Sequence, residues 1–273
     1  MSVTTVRAAQ TDIQRLGVDR LDAQLLLGHV LGRPRSWVIA HDDAVLDARA
    51  VESLHDLGHR RASGVPLAQL LGGKEFRGVW LEISADVLVP RPETELLVEC
   101  ALEVLASRPT GARVLDLGTG SGAVALAIKA ARSDVSVAAS DASRAALDVA
   151  QANGQRLGLH VDWRVGSWWS PWADERFDVV LSNPPYVASG DPHLGALAHE
   201  PALALLGGFD GLDAIREILA GLEHLAIGGW LWLEHGHDQA AAVRTLLEGG
   251  GLESIETRPD IAGIPRVTGG RRM

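Results

Sequence analysis

The chain has 273 residues, of which 47% are hydrophobic and 22% are charged, as expected of a soluble globular protein large enough for two domains. Its net charge of −10 is uneven, because residues 1–80 carry a net +1 and residues 81–273 a net −11. The acidic second part argues against a long contact with a nucleic-acid backbone. No window is apolar enough for a membrane span, and residues 1–17 lack the apolar stretch of a signal peptide.

The cysteine and histidine content predicts neither a disulfide nor a metal site. Cys100 is the single cysteine, which excludes an internal disulfide and predicts a protein of the reducing cytoplasm. Its apolar neighbours on a predicted helix indicate a buried small hydrophobic side chain rather than a nucleophile. The ten histidines form no cluster with ligand spacing, and His235 and His237 have no cysteine nearby.

The first sixty or so residues predict short helices. Leucine and valine side chains recur at near-helical spacing from Leu21 to Leu31, and Asp19 is a candidate N-cap for that helix. A further helix is predicted roughly from Asp47 to Ala62. No motif in this region carries chemistry, so we interpret residues 1–63 as a helical substrate-docking domain.

The composition changes over residues 64–90. Pro66, the Gly72–Gly73 pair and Gly78 break helices, whereas the apolar residues between Phe76 and Ile83 indicate a β-hairpin. We interpret this segment as a linker between two domains.

Strand and helix patterns alternate over residues 91–273. Strands are predicted at Arg113–Leu117, Val135–Ser140, Val161–Val165, Phe177–Ser182 and Trp230–Glu234, with two short strands in the tail. Helices are predicted at Ser121–Ala131, Ser143–Leu157, Asp213–Leu225 and Ala240–Glu248. This alternation predicts an α/β fold, a Rossmann-like parallel sheet with helices on both faces.

A glycine-rich motif, Asp116–Gly122, lies between the first of these strands and its helix. Glycines at this place allow a tight turn and a close approach of a ligand to the backbone. With Ala123 the segment also fits the dinucleotide fingerprint G-x-G-x-x-A. The motif alone therefore leaves open a methyltransferase, a dehydrogenase and a purely structural turn.

The ends of the next two strands predict a nucleoside ligand. Asp141 lies about twenty residues beyond the glycines, where a carboxylate accepts hydrogen bonds from ribose hydroxyls, although a helix N-cap is an alternative role. Gly166-Ser167-Trp168 ends the third strand, where an aromatic ring or a backbone amide can contact an adenine. A packing role is expected for one of Trp168 and Trp169.

The fourth strand ends in Asn183-Pro184-Pro185-Tyr186, the most informative segment of the chain. Two prolines remove two backbone donors and keep the chain extended. The Asn183 side chain and the Pro184 carbonyl are then free to accept hydrogen bonds from a planar NH2 group, with Tyr186 as a packing surface. A hydride-transfer enzyme has no need of such acceptors, whereas an enzyme that methylates an amide or amine does. The alternative is a proline-rich turn.

These motifs together resemble the class I S-adenosylmethionine methyltransferases that modify planar nitrogen in DNA adenine, rRNA guanine or protein glutamine. Val89–Glu95 is similar to the P-R-P-x-T-E segment of the HemK/PrmC family, the peptide chain release factor glutamine methyltransferases. A sister family that modifies a ribosomal protein usually has P-R-S-P there. Further segments resemble HemK/PrmC in order and spacing, so the match covers nearly the whole chain: Asp191–Leu194, Glu200-Pro201, Gly208–Leu212 and Leu233–Gly236.

The resemblance implies methyl transfer from S-adenosylmethionine to the side-chain amide nitrogen (N5) of the glutamine in the Gly-Gly-Gln motif of release factors, which modulates translation termination. It implies that the cofactor is held by Gly118, Thr119, Gly120, Ser121, Gly122, Asp141, Trp168 and Asn183. It implies that the substrate glutamine is held, and its reaction catalysed, by Asn183, Pro184, Pro185 and Tyr186.

Two residues depart from the family pattern. Ser167 stands where many relatives have Asp, and His199 where Phe or Tyr is more usual.

Release factors are the expected partners, and neither direct nucleic-acid contact nor membrane contact is expected. The alternatives are a glutamine methyltransferase of a ribosomal protein, a nucleic-acid N-methyltransferase, and a cofactor-binding scaffold without activity.

Overall fold

The computed structural model describes residues 4–108 and 110–273, and the chain divides into two compact units between Gly73 and Lys74. Residues 1–3, part of the segment in which no signal peptide is predicted, lie outside the described residues. Within the described ranges, no helix has both the length and the apolar character that crossing a membrane requires. The domain boundaries predicted at residues 63 and 90 stay predictions.

The N-terminal unit is helical and has its own core. Asp19 accepts a hydrogen bond from the Asp22 amide at 3.0 Å and so caps the second helix. Asp47 caps the fourth helix in the same way, through the Ala50 amide at 2.7 Å. Both of the helices predicted here are confirmed to within a residue or two. The helices are α1 Val6–Arg15, α2 Arg20–Leu31, α3 Arg35–Ala40, α4 Ala48–Ala62 and α5 Leu67–Leu70. Their buried core includes Val6, Ile13, Leu26, Leu27 and Leu54.

The predicted hairpin is confirmed as β1 (Gly73–Phe76) and β2 (Val79–Glu82). Arg77 and Gly78, the two residues between the strands, have φ angles of 46° and 77°. Positive φ at both central residues is typical of the tight hairpin turns whose twist matches that of the flanking strands.

Seven strands of the C-terminal unit form one sheet among the described residues, in the order β5-β4-β3-β6-β7-β9-β8. The first five in that order are parallel, as predicted, but β9 is antiparallel to both β7 and β8. The sheet is therefore mixed, because the short connection between the last two strands makes a hairpin and not a crossover. The strands are β3 Arg113–Leu117, β4 Ser136–Asp141, β5 Asp162–Val165, β6 Phe177–Ser182, β7 Leu225–Glu234, β8 Leu252–Pro259 and β9 Pro265–Arg272.

The helices of this unit follow the prediction with one exception. The predicted helix from Asp213 to Leu225 ends at Leu219, and Leu225 already pairs with Phe177 in the sheet. The predicted continuous α-helix is wrong beyond Leu219: Leu222–His224 forms only a short 3-10 helix, and a bulge near Gly228 interrupts the strand pattern and hides the start of β7. The helices are α6 Glu95–Ala106, α7 Ala123–Ala131, α8 Arg144–Leu157, α9 Asp213–Leu219 and α10 Ala240–Gly249.

Cys100 lies on α6 and is buried, as the sequence indicates. Burial raises the pKa of its thiol to about 12. A thiol with that pKa is a packing group and not a nucleophile at neutral pH.

The sheet topology determines where the site forms. The end of β3, Leu117, is in register with Ser140 of β4 and with Ser182 of β6. The segments that follow these three strands therefore emerge side by side at one edge of the sheet, where the strand order reverses and ligands bind in folds of this kind.

Candidate active site

A cavity of about 410 Å³ lies where β3, β4 and β6 end. Its volume is within the range of roughly 300–1,000 Å³ that is typical of small-molecule sites. The structure thus brings most of the predicted site residues together from four separate segments of the chain. The lining includes Gly118, Thr119, Gly120, Ser121, Asp141, Trp168, Asn183 and Pro185.

The glycine-rich loop presents bare backbone to this cavity. Gly118 and Gly120 have φ angles of 73° and 56°, in the left-handed region that favours glycine. A Cβ built on Gly120 would have no atom within 4 Å, so open space lies beside that residue. Gly122 differs, because a Cβ there would lie 3.0 Å from Leu126 Cδ1. It is a packing glycine that does not line the cavity.

Asp141 is held by two backbone amides. Its Oδ2 accepts from the Gly120 amide at 2.9 Å, and its Oδ1 accepts from the Ser143 amide at 2.8 Å. Burial raises the pKa of this carboxyl, while the two hydrogen bonds lower it. Ser143, whose hydroxyl accepts from the Ala146 amide, is the N-cap of α8, so Asp141 does not have that role. Each carboxylate oxygen keeps a further lone pair for a ligand.

Asp116 lines the cavity, a place that was not predicted for it from the sequence. Its side chain is buried, and its Oδ2 accepts from the Thr119 hydroxyl at 2.6 Å and from the Ala125 amide at 3.3 Å. Burial raises the pKa of the carboxyl to about 6, against the effect of these hydrogen bonds. At neutral pH it is therefore an ionised group that favours a positively charged ligand.

Trp168 has an unusual backbone conformation at the edge of the cavity. Its φ angle is 45°, a genuine outlier for a bulky residue. The indole Nε1 donates to Glu217 Oε2 at 2.6 Å, and Cζ3 of the ring lies 3.6 Å from where a Cβ on Gly118 would be. The ring is thus held against the glycine-rich loop by Glu217, a cavity residue that sequence analysis missed. Trp169 is the buried member of the pair and donates to the Ile218 carbonyl.

Asn183 is oriented by a residue far away in the sequence. Its Nδ2 donates to Thr94 Oγ1 at 3.2 Å across a separation of 89 residues. The carboxamide oxygen Oδ1 has no donor among the described residues, and neither has the carbonyl oxygen of Pro184. Asn183 lines the cavity, so its oxygen is available to a ligand there. Pro184 and Tyr186, however, do not line the cavity, and Pro184 is buried.

Tyr186 is fixed from two sides. Its hydroxyl donates to Glu234 Oε1 at 3.4 Å, and its carbonyl accepts from Gln239 Nε2 at 3.1 Å. Burial raises the pKa of the Tyr186 hydroxyl and also raises the pKa of Glu234, to about 7. Glu234 is only 1% exposed, and its Oε2 has no hydrogen-bond partner among the described residues.

Two loops form the remaining wall of the cavity, residues 86–94 and 201–208. They are joined by Glu200, which forms an ion pair with Arg91 and accepts from the Val89 amide at 3.0 Å. The second loop lies tightly against the end of β6, since a Cβ on Gly207 would be 2.5 Å from the Pro185 carbonyl oxygen. Ser167 also lines the cavity, whereas the exposed His199 does not.

The part of the chain that the structure describes contains no group of three or more His, Cys, Asp or Glu residues placed to hold a metal ion. His235 is buried, and its Nε2 lies 2.8 Å from the Thr268 hydroxyl. Burial lowers the pKa of its imidazole.

Comparisons with known proteins match both units. The family model for the methyltransferase small domain matches residues 92–200, and the model for the PrmC N-terminal domain matches residues 6–72. The release factor glutamine methyltransferase of Bordetella pertussis is 47% identical over 258 residues, 93% of this chain and 95% of that protein. The protein of the same name from Xylella fastidiosa (strain Temecula1) is 49% identical, over 93% of this chain and 94% of its own length.

A solved structure supports the fold. The 16S rRNA N2 G1207 methyltransferase RsmC of T. thermophilus, in complex with AdoMet and guanosine, aligns with a TM-score of 0.54 at 20% identity. The alignment covers 74% of this chain and 50% of that one. At this identity the likeness concerns the methyltransferase fold alone.

Proposed function

The chain belongs to the release factor glutamine methyltransferases, and from this we propose that it methylates N5 of the glutamine in the Gly-Gly-Gln motif of peptide chain release factors. The modification would modulate translation termination. The observation that carries this proposal is the Asn183 carboxamide, whose NH2 is bound by Thr94 while its oxygen stays available at the cavity. An oxygen acceptor in that place suits an incoming amide NH2.

S-adenosylmethionine is the cofactor that this proposal requires, and the cavity fits it. Asp141 would accept the ribose hydroxyls, the Trp168 ring would contact the adenine, and the backbone of Gly118–Ser121 would approach the rest of the molecule closely. The ionised Asp116 suits a cofactor that carries positive charge. When bound, the cofactor supplies a methyl group on a positively charged sulfur. Gly122 contributes by packing the loop rather than by contact.

The chain's own residues would activate the glutamine by orienting it. An amide nitrogen is a poor nucleophile because its lone pair is shared with the carbonyl group. Asn183 Oδ1 and the Pro184 carbonyl would accept the two N–H bonds, which raises the electron density on nitrogen and aligns it for attack. Tyr186, which Glu234 and Gln239 hold in place, would pack against the amide plane. We assign no general base, and the proton can leave to water after the transfer.

The N-terminal unit would provide a second contact with the release factor. Its sequence has no catalytic motif that we recognise. Its match to the PrmC N-terminal domain supports a shared role within the family. Orientation through a distant contact would favour a folded release factor over a short peptide. Because release factors act on ribosomes, we propose that the protein works in the cytoplasm.

Mass spectrometry tests this function. A purified bacterial release factor is incubated with the protein and S-adenosylmethionine, digested, and searched for an added methyl group. We expect one methyl group on the Gly-Gly-Gln glutamine, and none with the Asn183→Ala variant. Methylation of ribosomal protein or nucleic acid instead, in parallel incubations, would overturn the proposal.

A further inference from the structure

The buried carboxyl group of Glu234 has no part in the reaction proposed above except to hold Tyr186. Three segments of the chain bear on its role. Asn183 follows β6, Thr94 precedes α6, and Glu234 ends β7. Thr94 is 4% exposed and Glu234 is 1% exposed. A carboxyl group buried this deeply is costly unless its oxygens accept hydrogen bonds, yet Oε2 of Glu234 has no partner among the described residues.

Among the described residues, the hydroxyl of Thr94 is found only as a hydrogen-bond acceptor. A hydroxyl has a single proton to donate, and the Thr94 oxygen already accepts from Asn183 Nδ2 at 3.2 Å. The proton therefore needs an acceptor other than Asn183. Glu234 suits that role: Ser182 and Leu233 are in register, so Glu234 lies beside Asn183 at the ends of β6 and β7, and its buried Oε2 lacks a partner among the described residues.

We propose that Glu234 is a positioning residue: it accepts the Thr94 proton, so that the Thr94 oxygen accepts from Asn183 and the Asn183 oxygen faces the cavity. The inference rests on the proposed function, because the orientation matters only if Asn183 binds an NH2 group. Thr94, which belongs to the P-R-P-x-T-E segment, and the buried Glu234 then have the same role, which is to orient the Asn183 side chain.

The opposite orientation of Asn183 would be unproductive. A carboxamide rotated by half a turn presents its own NH2 to the NH2 of the substrate glutamine, and two donors cannot form a hydrogen bond. Glu234→Gln permits that rotation, because a glutamine NH2 at this position can donate to the Thr94 oxygen. The Thr94 proton is then free to point at Asn183 Oδ1 and hold it away from the substrate.

Protonation of Glu234 would have the same effect as this substitution. Burial raises its pKa to about 7, the hydroxyls of Thr94 and Tyr186 lower it, the Glu93 carboxylate raises it, and Arg266 lowers it. Below that pH the carboxyl carries a proton that it can donate to Thr94. Methylation should therefore increase as the pH rises through about 7, where the carboxylate becomes the predominant form.

Kinetics of four variants test the inference with a purified bacterial release factor as substrate. We expect Glu234→Gln and Thr94→Val each to lower kcat about tenfold or more, while the affinity for S-adenosylmethionine, from calorimetry, changes less than about threefold. Thr94→Ser keeps the hydroxyl and should restore kcat. Thr245→Val, which removes an exposed hydroxyl on α10, serves as the matched control. In Glu234→Gln the rise of kcat near neutral pH should be lost.

A second readout does not depend on turnover. The side-chain amide 15N resonances of Asn183, followed by NMR through neutral pH, should titrate with Glu234 in the wild-type protein and stay constant in Glu234→Gln. If wild-type protein methylates the release factor while Thr94→Val keeps its kcat, or the Asn183 resonances do not titrate, the inference alone is wrong. If the wild-type protein does not methylate the release factor, the proposed function fails and the inference fails with it.

Discussion

The backbone amide of Gly120 and the carboxylate of Asp141 are joined by a 2.9 Å hydrogen bond that links the loop after β3 to the end of β4. The two residues are 21 positions apart; Gly120 belongs to the glycine-rich motif, and Asp141 ends the strand for which a ribose contact is predicted. The bond fixes the glycine-rich loop against the carboxylate before any ligand arrives, so little ordering cost remains to be met on binding.

The first prediction concerns that carboxylate. Asp141→Ala removes the acceptor for the ribose hydroxyls and frees the Gly120 amide, so we expect the affinity for S-adenosylmethionine to fall by about tenfold or more, or ~1.4 kcal/mol. Calorimetric titration measures it. Asp162→Ala, at an exposed carboxylate on β5, is the control and should leave the affinity unchanged. An unchanged dissociation constant in Asp141→Ala would contradict the ribose assignment.

The second prediction separates catalysis from cofactor binding. Asn183→Ala deletes one of the two acceptors for the glutamine amide, so methylation of release factor should fall by roughly 100-fold or more, as when an electrostatic hydrogen-bond partner is lost at other active sites. Binding of S-adenosylmethionine should weaken only modestly. Transfer of radiolabelled methyl groups measures the rate, and a near-wild-type rate would exclude the role given to Asn183.

The third prediction concerns a second asparagine-to-alanine substitution, at a residue that stabilises the fold and does not line the cavity. Asn153 is completely buried; its Oδ1 accepts from the Glu82 amide at 2.8 Å, and its Nδ2 donates to the Glu82 and Ser121 carbonyls, both at 3.1 Å. Asn153→Ala leaves these backbone groups unpaired, so the free energy of unfolding should fall by about 2–4 kcal/mol. Urea unfolding measures it. Asn183→Ala should change it far less, and equal losses in the two variants would refute the distinction.

The fourth prediction follows from Asp116. Burial raises its pKa from 3.8 to about 6, so the folded state binds this proton more tightly than the unfolded state does. The stability gained is complete below pH 3.8 and is lost as the pH rises through about 6. Asp116→Asn should therefore be more stable than the wild-type protein at about pH 8, by up to ~3 kcal/mol, with a smaller advantage at about pH 4.

Urea unfolding at the two pH values tests this prediction, together with calorimetry. A stability difference that is the same at both values would contradict the assigned pKa shift. We also expect Asp116→Asn to bind S-adenosylmethionine more weakly, because it loses the charge that complements a cationic ligand.

The fifth prediction concerns the loop beside Pro185. A Cβ on Gly207 would lie 2.5 Å from the Pro185 carbonyl oxygen and 2.8 Å from that of Gly211, so Gly207→Ala must displace the loop or the end of β6. We expect methylation to fall at least about tenfold, since small misplacements are costly in catalysis. Gly190→Ala is the matched control, because its Cβ would meet nothing within 4 Å. Equal activity of the two variants would contradict the prediction.

The strands and the cavity follow from local sequence patterns, whereas the side chains that orient the site do not. Apolar runs and the glycine motif predicted β3, β6 and the segments that now surround the cavity. Thr94 and Glu217 contact Asn183 and Trp168 from 89 and 49 residues away, and periodicity carries no information about such contacts. The left-handed backbone conformation of Trp168 could not be predicted from the sequence either, because a bulky residue adopts it only when tertiary packing imposes it.

The ion pair between Arg91 and Glu200 has a consequence for synthesis on the ribosome, because it closes 109 residues of chain. The glycine-rich loop and Asp141 are translated well before Glu200, since chains are made from the N-terminus. A nascent chain thus acquires the segments for the nucleoside part of the site first, and the wall beside Pro185 only later. Stalled chains that end before Glu200 would lack that wall, so methyl transfer would begin only after it has been translated.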